Sequence, residues 1–135
     1  MPKHTNIGEC PSCAEKLLRA HPMLRTWFLK RKTQIEQLHV SWSYRDAASQ
    51  EQAFQEGKSK LHFPNSAHNK QPALALDCFM LDLDGVAQWP PTMFAKINAM
   101  NEADADPIIW GGNFKSIGDS DHMQLDISKL PPPLT

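Results

Sequence analysis

No sign of charge dominates this sequence: its 14 Lys and Arg nearly balance 15 Asp and Glu over 135 residues, for a net charge of −1. A binder of nucleic acid or of an anionic membrane surface needs a basic footprint, so neither partner is expected. Long apolar runs are missing too, which excludes a bilayer-spanning segment. The opening stretch MPKHTNIGEC has no apolar core of a secretory leader, so synthesis in the cytoplasm without a signal peptide is the expectation. Cysteine is scarce, and three of them cannot all pair within one chain, which argues for a reducing compartment and against a disulfide framework. No internal repeat is visible. The length suits one domain, expected over residues 1–130, with a helical part at 1–38, a core at 39–127 and a Pro-rich tail at 128–135. The chain is expected to be a monomer.

What is present alternates between helical and strand periodicity. Ala14, Leu17 and Leu18 follow Pro11 at helical spacing. After His21-Pro22 a second helix is expected to Leu38, with Leu24, Trp27, Phe28, Ile35 and Leu38 on one face and Lys30, Arg31 and Lys32 solvated on the other. HVSWSY (residues 39–44) alternates as a strand, Asp46 can cap a helix over AASQEQAFQE, and Gly57 stops it. ALALDCFML (residues 73–81) is a second strand, Asp84-Gly85 a hairpin turn and VAQW the returning strand. Pro90-Pro91 opens a helix with Met93, Phe94, Ile97 and Met100 as its apolar stripe. PIIW and HMQLDI are the last strands, and the tail KLPPPLT is expected to be extended and disordered. Helices first, then an antiparallel sheet with one helix inserted, give an α+β fold.

The chemistry concentrates in two segments. SAHNKQPALALD ends an apolar strand on a carboxylate, which is costly to desolvate alone, so Asp77 needs a strong partner. His68 lies in the same stretch, and GDSDHMQLD supplies Asp119, Asp121 and His122. Two histidines and one carboxylate make the three-ligand set of a catalytic zinc, with a fourth position left for water. If Asp121 shares a strand with His122 its side chain points to the opposite face, whereas Asp119 on the preceding loop can reach the site. His4, His21, His39 and His62 suggest no role. The CPSC pair (Cys10, Cys13) reads as free thiols, Cys78 as a small core residue and DLDG (residues 82–85) as a turn.

The ordered set SYRDAASQ, then SAHNKQPALALD, then IIWGGNFKSIGDSDHMQL closely resembles the zinc peptidoglycan peptidases, which include D-alanyl-D-alanine carboxypeptidases and phage L-alanyl-D-glutamate endolysins. The resemblance spans roughly residues 36–126, and the hedgehog signalling domain shares its scaffold. It implies helices packed on a small antiparallel sheet, zinc on His68, Asp77 and His122, a catalytic carboxylate at Asp119, and substrate contacts at Arg45, Gln50 and Ser66. Peptidoglycan stem peptides are the implied substrate, met after release from the cytoplasm. The implied activity is that of an L-alanyl-D-glutamate endolysin; the rivals are a D-alanyl-D-alanine carboxypeptidase and a non-catalytic zinc-stabilised binding or virion module. One departure is local: Asp77 stands two residues further from His68 than in the family's commoner spacing and the intervening Gly is absent, which calls for an outward bulge stiffened by Pro72.

Overall fold

The computed structural model describes residues 11–113 and 120–130. Among them, four α-helices and five short strands make an α+β fold: α1 (Pro11–Leu18), α2 (Pro22–Gln34), β1 (Leu38–Trp42), α3 (Ala47–Gln55), β2 (Ala75–Leu81), β3 (Ala87–Gln88), α4 (Pro91–Ala103), β4 (Ile108–Trp110) and β5 (His122–Leu125). Short 3-10 turns lie at Ala67–Asn69, Gly111–Asn113 and Ile127–Lys129. The helix starts follow local chemistry. His21 caps α2 by accepting from the Met23 amide, with Pro22 in its first turn, and Asp46 caps α3 by accepting from the Ser49 amide.

The sheet is antiparallel in the order β1-β2-β5-β4, with β3 a short hairpin return on β2. Strand alternation gives it two unlike faces. Leu38 and Val40 of β1, Leu76, Cys78 and Met80 of β2, and Met123 and Leu125 of β5 join the core with Leu24, Trp27 and Phe28 of α2 and Phe94 and Ile97 of α4. The other face presents His39, Asp77, Phe79, His122 and Gln124. Met93 and Met100 pack against the core, as their helical spacing implies.

Four expectations need correction. α2 stops at Gln34, so Leu38 opens β1 instead of closing the helix. The basic run on α2 is not a solvated face: Arg31 is wholly buried and Lys32 nearly so. Arg31 donates to Asn101 (3.1 Å), Gln34 (2.9 Å), Asp104 (3.0 Å) and Asp106, while Lys32 Nζ meets the Glu36 carbonyl. Cys13 is disulfide-bonded and not a free thiol; its partner lies outside the described residues. An odd count excludes full pairing but not a single bridge. The start of the tail is not extended and loose, since Ile127–Lys129 form a helical turn and Leu130 packs on the core; residues 131–135 lie outside the described residues.

Candidate metal centre

Backbone register brings the acidic strand end and the last histidine together. In the β2–β5 ladder Asp77 stands directly opposite His122, and on its other side Asp77 pairs with Trp42 of β1, past a bulge between Val40 and Trp42. Directly opposite residues share a sheet face. His68 arrives from a separate turn. The Ser66 hydroxyl accepts from the His68 amide (3.2 Å), and the Asn69 side chain accepts from the Ser66 amide (3.0 Å), a reciprocal cap that winds residues 67–69. The turn is strapped to the segment after β1: Arg45 N–H donates to the His68 carbonyl and the Asn69 amide group to the Arg45 carbonyl, each at 2.9 Å. The chain then passes through exposed residues 70–72 before Ala73 is buried again, the outward bulge that the longer spacing demands.

The three side chains are buried and converge. His68 Nε2, His122 Nδ1 and Asp77 Oδ1 lie 3.0 to 3.2 Å from one another. His68 Nδ1 donates to the Ser43 carbonyl (2.7 Å) and His122 Nε2 to Gln124 Oε1 (2.8 Å), which fixes both tautomers and leaves a lone pair on each converging nitrogen. Two lone pairs and a carboxylate oxygen at this separation repel unless a cation lies among them. A tetrahedral zinc, with ligand bonds of about 2.0–2.1 Å, sets its donors about 3.3 Å apart, and two imidazoles with a carboxylate suit it. The residues therefore fit a divalent metal, with a donor set compatible with zinc and not exclusive to it. Burial works against the Asp77 charge, and only positive charge at the imidazole side of the centre outweighs it to hold the carboxyl well below the usual carboxylate range, as a cation among the three atoms would.

Arg45 flanks the cluster. Its guanidinium donates to Asp77 Oδ2 (3.2 Å) and to Gln50 Oε1 (3.1 Å), and it sits over the Trp42 ring at 5.4 Å. Asp77 and Arg45 border a cleft of about 650 Å³ whose other walls include Trp42, Trp89, Asp121, the α3 residues Ser49 and Gln52, and Glu56 at the end of that helix. Gln50 is fully buried behind Arg45 and Ser66 is buried at its cap, so both stand behind the cleft. Asp119 lies outside the described residues. Asp121 occupies the turn before β5 and lines the cleft; the condition that set it aside, membership of the strand, does not hold. His62 pairs with Glu51 (2.8 Å) on the surface, and His39 is buried within 3.3 Å of Cys13 Sγ.

Sequence reading missed Ser43, Asn69, Gln124, Trp42 and Trp89. Gln124 was findable, since it lies two residues after His122 on the same strand face. Asn69 was legible as the third residue after Ser66 in a cap. Ser43 acts through its carbonyl, which no residue type announces.

Among solved structures, the chain is similar to the crystal structure of Serratia marcescens L-Ala D-Glu endopeptidase ChiX, with 26% identity over 84% of this chain and 85% of that one and a TM-score of 0.64. No protein-family model matches the chain, and no curated protein matches it. The similarity to ChiX supports the peptidoglycan-peptidase resemblance read from the motifs.

Proposed function

We propose that this chain is a zinc peptidase of peptidoglycan stem peptides that cuts the L-alanyl-D-glutamate bond, as a phage-type endolysin meeting the wall after release from the cytoplasm. Residues 1–130 are its single peptidase domain, acting as a monomer. One observation carries the reading: three fixed lone pairs converge beside a cleft, next to a guanidinium already pinned in place. His68, Asp77 and His122 would hold the metal. Zinc there would supply Lewis acidity for amide hydrolysis.

The protein's own groups do the rest. Ser43 and Gln124 hold the imidazoles in the ligating tautomer. Arg45 has N–H groups beyond those given to Gln50 and Asp77, and they suit a substrate carboxylate or the oxygen that gains charge as the carbonyl is attacked. Asp119, outside the described residues, is proposed from its motif position as the base: its carboxylate oxygen takes a proton from the attacking water and returns it to the leaving amine nitrogen. Ser66 and Gln50 support the site through His68 and Arg45.

Purified zinc-loaded protein should lower the turbidity of sacculi and release peptides that begin with D-glutamate, and His68→Ala with His122→Ala should abolish both effects. Release of free D-alanine from intact sacculi would reassign the bond to a carboxypeptidase. Untouched sacculi and stem peptides would leave the non-catalytic module instead.

A further inference from the structure

We propose that the open face of Trp89 is a sugar subsite: it takes the pyranose ring from which the stem peptide hangs, so that the cleft reads a glycopeptide in preference to a free peptide. This rests on the peptidase reading above and extends it to a different part of the substrate.

Trp89 is braced from behind. Its ring lies 6.0 Å from that of Phe79, which stacks in turn on the buried His39 at 5.3 Å. Yet Trp89 remains 52% exposed, and it lines the same cleft as Asp77 and Arg45. A half-bare indole backed by another ring in a concave wall marks a place where something apolar and flat is received. Trp42, 43% exposed on the same cleft, already has the Arg45 guanidinium over its ring. Trp89 has no such cover among the described residues. A pyranose presents a face of C–H groups, whose positive edges suit the negative face of an indole, while its rim of hydroxyl and acetamido groups needs hydrogen-bond partners. Gln52, Glu56 and Lys58 line the cleft and offer them.

The direction of the strands agrees. β1 runs antiparallel to β2, so Arg45 lies beyond Trp42 toward the Ala75 end of β2, whereas Phe79 and Trp89 lie toward the other end. A substrate gripped by Arg45 at its glutamate carboxylate therefore sends its other end toward Trp89. Two strand residues from Asp77 to Phe79 cover about 6.7 Å, and the ring stack adds 6.0 Å at an angle. In the proposed substrate one alanine, about 3.6 Å long, and a short lactyl ether separate the scissile bond from the sugar. The sugar thus follows within one residue and one ether of the scissile bond, on the Phe79 side.

The test compares kcat/KM for a disaccharide-linked stem peptide and for the same peptide without sugars, using zinc-loaded wild type, Trp89→Ala and Trp89→Phe. We expect wild type to favour the glycosylated substrate about tenfold, Trp89→Ala to lose that preference while keeping its rate on the bare peptide, and Trp89→Phe to retain most of it. Equal losses on both substrates, or no preference in wild type, would overturn the subsite. If wild type cuts neither substrate, the peptidase reading fails separately. The subsite is then decided by titrating peptide-free disaccharide into the protein and following the Trp89 indole N–H resonance, identified by its disappearance in Trp89→Phe. A saturable shift supports the subsite, and an unmoved resonance rejects it.

Discussion

At the residue scale the most instructive position is Gln50, whose amide is fully used. Its oxygen accepts from Arg45 and Asn69 (both 3.1 Å), and its nitrogen donates to Ser59 Oγ (2.9 Å) and to the Leu61 carbonyl (2.6 Å). Truncation would leave several buried polar groups unmatched, a cost of about 1–3 kcal/mol each, and would free the guanidinium that Gln50 aims at Asp77. Gln50→Ala should therefore lower kcat/KM on stem peptides by about 10- to 100-fold while zinc content stays at one per chain, because none of the three converging ligand atoms touches Gln50. Loss of metal in step with activity would contradict this. A motif reading reaches Gln50 but assigns it to the substrate; that it is walled off behind Arg45 follows from the packing of α3, which no spacing in the sequence reveals. Gly112 teaches the same lesson. What the fold needs there is room, which no sequence spacing shows: a Cβ would meet the Trp110 ring at 2.2 Å. Trp110 Nε1 in turn holds the Ser120 carbonyl at 2.7 Å, just before His122.

At the scale of elements, Arg31 clips α2 to α4 and to the chain entering β4. It meets Asn101 on α4, which also accepts from Trp27 Nε1 (2.7 Å), and then Asp104 and Asp106 beyond the helix end. Arg31→Ala removes a buried cation and strands its partners, so urea unfolding should show a loss of about 3–5 kcal/mol. Lys30→Ala breaks only exposed pairs with Asp104 and Asp106 and should cost less than about 1 kcal/mol. The clip also sets a response to acid. The Arg31 hydrogen bond holds the Asp104 carboxyl below its ordinary value, so the stability it contributes is present above the carboxylate range and is lost as pH falls through it. Arg31→Met should accordingly lose less stability than wild type on acidification from about pH 5, above the ordinary Asp value, to about pH 2, below it. The run Lys30-Arg31-Lys32 reads as a wet face because its acidic partners lie more than seventy residues away. Helix starts and strand alternation were legible since both are local; a long-range ion pair is not.

At the scale of the whole molecule, the sheet divides labour between its faces. One face closes the core with α2 and α4. The other holds three lone pairs together by ties that belong to different parts of the chain: Ser43 after β1, the capped turn at 67–69, β2 and β5. The ordered motifs revealed which residues meet because the family resemblance carries the ligand set onto them, and apolar alternation places Asp77 and His122 on the polar faces of their strands, but neither could reveal that each histidine is locked from behind. That locking makes the folded chain, and not the unfolded one, the form that prefers a cation. A ligand that binds only the folded state raises its stability by about 2.7 kcal/mol at one hundred times the dissociation constant, which for a chain of this size corresponds to roughly 10 °C in Tm. Zinc added to chelator-treated protein should therefore raise the Tm by about that much. The same excess of magnesium or calcium should do little, since two imidazoles are poor ligands for hard cations. The zinc shift should vanish when His68→Ala and His122→Ala are combined, whereas Cys78, buried in the core on the opposite sheet face, can be changed to Ala without removing it. Identical melting in zinc and in chelator would mean that the converging lone pairs are relieved by a proton, and the metal reading of the site would fall with it.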